Sequence, residues 1–192
     1  MDASLFGTLP VWKILLRVAP PVMLAQLIQA LYNVVDSFFV GRYSGDGLTA
    51  LSVIYPIQLV ITALAVGTGV GVNTQMSRLY AKGRTEAANK TGGAGILLAL
   101  VMWALFTAVI LPVLRPFSAA SAESAAAVED AVVYGTICCA GSVGVFLEGI
   151  FSKIHQARGN MVLPMVAQIA GALVNIVLDP VFIFGWGALP EM

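Results

Sequence analysis

The 192-residue chain is 59% hydrophobic and only 10% charged, against roughly 25% charged residues in an ordinary soluble domain. With a mean hydropathy of +0.91, it has too little polar surface to coat a water-soluble globule. Ten Lys and Arg balance ten Asp and Glu, so no global basic field exists to attract nucleic acid. The two cysteines, Cys138 and Cys139, are neighbours in an apolar run, which suits neither a disulfide framework nor a metal cluster. The chain reads as an all-α integral membrane protein, with membrane lipid as its solvent.

Five apolar stretches are long enough to cross a hydrocarbon core of ~30 Å, which takes about 20 helical residues. In chain order they are expected at 18–41, 48–74, 93–114, 131–152 and 161–184. The runs are continuously apolar, without the alternation of lipid-facing strands, so helices are preferred to a barrel. The first run is too long for a signal-peptide core and no small-residue cleavage site follows it, so it is expected to be retained. Gly41 to Gly47 reads as a tight turn, Lys82 to Lys90 and Lys153 to Asn160 as short charged loops, and Arg115 to Asp130 as a longer connector that caps the fourth helix.

Alternating these spans puts Lys13, Arg17, Arg78, Lys82, Arg84, Lys90, Lys153 and Arg158 on one side, and only Arg42 and Arg115 on the other. The basic side is expected to be cytoplasmic, and with it the N-terminus.

Polar residues at membrane depth are costly and mark a partner or a wet cavity. The first span carries Gln26, Gln29, Tyr32, Asn33 and Asp36. At 100° per residue the amides and the acid share about 80° of arc, with Tyr32 about 40° further on. The fifth span places Gln168, Asn175 and Asp179 within about 40°. Asp36 and Asp179 each precede the expected outer helix end by six residues, or about 9 Å. Two carboxylates at one depth, each with an Asn nearby, form a candidate site for Na⁺ or a proton. Any single amide is more readily explained as interhelical glue, worth about 0.6 kcal/mol. The aspartates have no basic partner in these spans and read as functional. The fifth span also echoes the first in sequence, a hint that the two line one cavity.

Glu148 lies near the cytoplasmic end of the fourth span, too far from Asp36 to share its site. It is expected to snorkel or to pair with Lys153 or Arg158. His155 reads as a solvated residue at a loop edge. Gly67 and Gly71 form a small-xxx-small pair for close helix packing, while Pro20, Pro21 and Pro56 can kink helices or free carbonyls. Metal-spaced His/Cys sets, Ser/His/Asp arrangements and P-loops are absent from the sequence, so neither an enzyme nor an ATP-driven pump is expected.

Three stretches carry a family resemblance. They are Ala19-Pro20-Pro21 through Gln29-Ala30-Leu31-Tyr32-Asn33-Val34-Val35-Asp36 to Gly41; Tyr55-Pro56 through Gly67–Gly71 to Ala81-Lys82-Gly83; and Arg158-Gly159-Asn160 through Asn175-Ile176-Val177-Leu178-Asp179-Pro180 to Gly185. Together they resemble the multidrug and toxic compound extrusion (MATE) family, nearly end to end, with the flavour of its bacterial efflux members. The resemblance implies twelve helices in two six-helix lobes around a cavity that opens alternately to either side of the cell membrane. It further implies export of organic cations or amphipathic drugs in exchange for Na⁺ or H⁺, with no other cofactor. Asp36, Tyr32, Asn175 and Asp179 then match the family's ion-coupling residues, with Na⁺ held by Asp36, Asn175 and Asp179. Gln26, Gln29, Asn33 and Gln168 would line the cavity around them.

Residues 1–192 would form an incomplete N-terminal lobe, ending before its sixth helix. A C-terminal lobe would then be needed for transport, and the chain is expected to be a fragment or a truncated product. Two rival readings are a lipid-linked precursor flippase of the same superfamily and a non-transporting membrane subunit. The flippase would need basic residues in its cavity, and this chain places none at mid-membrane. A scaffold has no use for two polar helix faces.

Overall fold

A chain surrounded by hydrocarbon must satisfy its backbone N–H and C=O groups internally, and within one segment only a helix does so. The computed structural model describes residues 10–43, 45–122 and 124–183, and every regular element among them is an α-helix. In chain order they are α1 (Val11–Tyr43), α2 (Gly45–Ala81), α3 (Thr85–Ser121), α4 (Ala125–Gly141), α5 (Val143–Ala157) and α6 (Val162–Ile183). The stretches Val11–Phe39, Gly45–Ala81, Thr85–Ser121 and Ala125–Ala157 are each long and apolar enough to cross a membrane. The apolar stretch Val162–Leu178 of α6 is shorter.

The fifth expected span, 161–184, falls on α6, whose apolar stretch is shorter than a span and whose expected last residue lies outside the described residues. The first four expected spans fall on these elements, with three corrections. The helices are longer than the hydrophobic runs, because helix continues past the apolar core into segments bearing Arg78, Glu86 and Lys90. The connectors shrink accordingly: α3 begins at Thr85, runs on to Ser121, and α4 starts at Ala125. His155 lies half-buried in the last turn of α5, where a loop edge was expected. Finally, the fourth span is two helices, α4 and α5, interrupted at Ser142.

The turns have local causes. Gly83, between α2 and α3, has φ of 70°, and Gly159, between α5 and α6, has φ of 77°, values that glycine adopts without a Cβ penalty. Asn160 then caps α6, its Oδ1 accepting from the Leu163 N–H at 3.1 Å. Ser124 caps α4 as expected from its connector: its Oγ accepts from the Ala127 N–H at 3.0 Å and donates to Asp46 Oδ1 at 3.0 Å. Such caps satisfy donors that a helix start leaves open.

The chain divides into two units. One comprises Met1–Gly45 and Arg158–Met192, in which α1 and α6 pack directly on each other. The other, Asp46–Ala157, contains α2 to α5. Its core follows a helical stripe on α2, from Ala50 and Ile54 through Ile57, Ile61 and Ala65 to Gly69, Val72 and Met76. Small residues set the approach distances. A Cβ on Gly95 of α3 would lie 2.8 Å from Val72 Cγ1, and one on Gly135 of α4 would lie 2.9 Å from Ile54 Cδ1.

The glycines of α2 correct a further expectation. A Cβ on Gly67 or Gly71 would have nothing within 4 Å, whereas one on Gly69 would meet Lys153 Cγ at 2.8 Å and the Gly149 carbonyl oxygen at 3.3 Å. The close approach of α2 to α5 therefore runs through Gly69. Gly69→Leu is expected to destabilise the protein by about 1–3 kcal/mol through overpacking. Gly71→Ala should leave stability unchanged or raise it, by helix propensity. Thermal unfolding of the two variants in detergent, beside the wild type, measures the contrast.

Candidate functional site

The polar face expected on the first span is present on α1. Gln29 Nε2 reaches Asn33 Oδ1 at 3.5 Å, and Ser37 Oγ donates to the Asn33 carbonyl at 2.9 Å. Asp36 and Tyr32 are half-buried, while Gln26, Gln29 and Asn33 are exposed. Beyond Asp36, the rings of Phe38 and Phe39 meet edge to face with centroids 5.9 Å apart, an apolar layer on the C-terminal side of the acid.

On α6, Gln168 is half-buried and Asn175 is exposed. Asp179 falls within the helix, but its side chain lies outside the described residues, as does Gly185. The depth match between the two carboxylates therefore rests on helical register alone. What the structure brings together is the two helices: α1 and α6 belong to one unit and pack on one another. Ala25 on α1 and Ala172 on α6 are both buried, so small residues occupy core positions on each helix. Among the described side chains no hydrogen bond joins Asp36 to Asn175.

A second polar cluster lies in the other unit. Gln58 of α2 donates to the Tyr134 hydroxyl of α4 at 2.9 Å and approaches Cys138 Sγ at 3.6 Å. All three residues are half-buried. Gln58 and Tyr134 are 76 residues apart, so no periodicity within one helix announces the pair. A lone Gln in an apolar span was the only sequence signal.

Near the α5 end of the same unit, Asn73 Nδ2 donates to the Lys153 carbonyl at 2.7 Å, and Lys153 Nζ to Gln156 Oε1 at 3.0 Å. Glu148 is exposed and accepts from Ser152 Oγ at 2.6 Å. Asn73 thus acts as the interhelical glue expected of an amide in a span. Chemically, α1 and α6 each carry carboxylate and amide groups, whose oxygens suit a hard cation or a proton. Among the described residues no group of three His, Cys, Asp or Glu is gathered.

Comparison with known proteins places this arrangement. A family model described as MatE matches residues 21–181. The FAD transporter of Shewanella oneidensis is 25% identical over 186 residues, covering 95% of this chain and 40% of its own length. The probable multidrug resistance protein NorM of Thermotoga maritima is 25% identical over 185 residues, covering 94% of this chain and 39% of its own. A solved MOP superfamily transporter from Pyrococcus furiosus aligns with a TM-score of 0.86 at 28% identity, over 92% of this chain and 39% of that one. The chain thus spans about 40% of the length of the curated relatives it matches, and its helices correspond to most of one transporter lobe. With the family model covering both polar helices and everything between them, the chain belongs to the MatE family of multi-pass membrane transporters.

Proposed function

We propose that residues 1–192 supply most of the N-terminal lobe of a multidrug efflux antiporter in a bacterial plasma membrane, acting with a second lobe. In this reading it exports organic cations or amphipathic compounds in exchange for Na⁺ or H⁺ by alternating access. The supporting observation is that the two helices bearing acids at membrane depth, α1 and α6, pack on each other in one unit.

Asp36, Asn175 and Asp179 would ligate Na⁺ through oxygen atoms, or the two acids would share a proton. Like charges at one depth in a low-dielectric setting do not both stay ionised without a counter-ion. Tyr32 stands one turn before Asp36 and orients it or its ligand. Gln26, Gln29, Asn33 and Gln168 keep the surrounding face hydrated. Loading or emptying this site changes the local charge. The first helix, with Pro20 and Pro21 lacking two N–H donors near its inner end, then bends and expels a bound cation.

A second reading of the cargo comes from the Shewanella relative, whose name is FAD transporter. A flavin dinucleotide is anionic and needs basic contacts that the spans of this chain do not offer, so the second lobe would supply them.

Ethidium and FAD export from vesicles holding the full-length transporter distinguish the cargoes. Under the efflux reading, Asp36→Asn lowers ion-driven ethidium export about tenfold or more, since each 1.4 kcal/mol of lost coupling is tenfold. Membrane insertion should stay intact. Undiminished ethidium export in that variant contradicts the site, and export of FAD alone replaces the cargo.

The orientation has its own check. With the N-terminus cytoplasmic, a cysteine at Gly83 reacts with an impermeant maleimide only in inverted vesicles, whereas one at Ala126 reacts only in intact cells. The reverse pattern would invert the topology.

A further inference from the structure

The fourth span breaks between Gly141 and Val143 without a proline. Sharp breaks in long helices otherwise arise at Gly/Ser pairs or where a side chain enters the hydrogen-bond ladder, and both occur here. Ser142 has φ of −63° and ψ of −11°, only a few tens of degrees in ψ from regular helix. Its own carbonyl accepts from the Phe146 N–H at 3.0 Å, so α5 restarts immediately.

The carbonyl left at the break is that of Cys139. In an unbroken helix its partner would be the N–H four residues on, that of Val143. Instead it accepts three side-chain donors. Ser142 Oγ lies at 2.8 Å, Thr107 Oγ1 at 3.1 Å and the indole Nε1 of Trp103 at 3.2 Å. Two of the three come from α3. Cys139 is 0% and Ser142 3% exposed, so the exchange of partners happens inside the protein. Gly141 and Gly144 flank the break, and neither has an atom within 4 Å of where a Cβ would stand. The backbone there has room to move.

We propose that the α4–α5 junction is a two-state hinge that exchanges one acceptor between two donor sets. In the interrupted state the Cys139 carbonyl is held by Trp103, Thr107 and Ser142. In the straight state it takes the Val143 N–H, and α4 and α5 become one helix. Both states satisfy the carbonyl, which is what keeps them close in free energy at membrane depth. The hinge ties the angle between α4 and α5 to the position of α3, and it goes beyond the transport reading, on which it does not depend.

Amide hydrogen exchange at Val143, measured by NMR on the full-length protein in lipid nanodiscs, tests this directly. In the wild type Val143 exchanges faster than Ile137 and Ile150, which lie within the flanking helices. Thr107→Val deletes one donor with little change of shape, and Trp103→Phe deletes another together with the pyrrole ring that carries it. Each should slow Val143 exchange about fivefold, the worth of one hydrogen bond, by shifting the population to the straight state. Thr107→Ser keeps the donor and retains the wild-type rate. A Val143 amide as protected as its flanks in the wild type overturns the hinge. So does a rate unchanged in both folded donor-deletion variants, or a Thr107→Ser variant that behaves like Thr107→Val. If Trp103→Phe does not fold, the wild-type comparison and the Thr107 pair decide the matter.

Discussion

Hydrocarbon leaves no water to bond an open N–H or C=O, and the rest of the structure depends on meeting that demand. It is why the described chain is helical throughout, and why its helices continue through Pro20, Pro21, Pro56, Pro112 and Pro116. Where the ladder does fail, at Ser142, side chains from α3 close the gap on the Cys139 carbonyl. Asn73 serves another carbonyl in the same way, that of Lys153 in α5.

The same solvent removes the usual reason for helices to associate, since lipid tails are as apolar as leucine. Packing density takes over. Ala65 and Gly69 on α2, Gly92 and Gly95 on α3 and Gly135 on α4 are buried, and each glycine lies within contact distance of a neighbouring helix. Large side chains such as Leu97, Leu105 and Val109 of α3 point outward instead. In water that surface would be a liability; in a bilayer it is the ordinary outer face of a span.

The fifth span, on α6, has a shorter apolar stretch, but the other four were legible because run length is a strong signal and the bilayer fixes its threshold. Their ends were not, because helix formation does not stop where hydropathy does: the segments around Arg78 and Glu86 stay helical though charged. The packing glycine was ambiguous for a different reason. Gly67, Gly69 and Gly71 alternate, so all three are small and only the phase of the buried stripe selects Gly69. The break at Ser142 had a cue in Gly141-Ser142, but its cause lies in Trp103 and Thr107, which stand 36 and 32 residues before Cys139 in the chain. Asp36 was singled out from cost alone, since an acid in a span demands a reason. Gln58 and Tyr134 were not, because their meaning exists only as a pair across two helices.

An amide that finds a partner within the lobe is structural, as Asn73 is, while the acid of α1 is the residue proposed here to couple ions. Asp36 is the residue on which the functional account turns. The most direct measurement is ion release on cargo binding, made on the purified full-length transporter in weakly buffered detergent solution with ethidium as the probe. The account predicts that ethidium displaces a proton or a bound Na⁺ from the wild type, and that this release is absent from Asp36→Asn although the variant stays folded. Equal release from both proteins would contradict it, and would move the coupling site off α1.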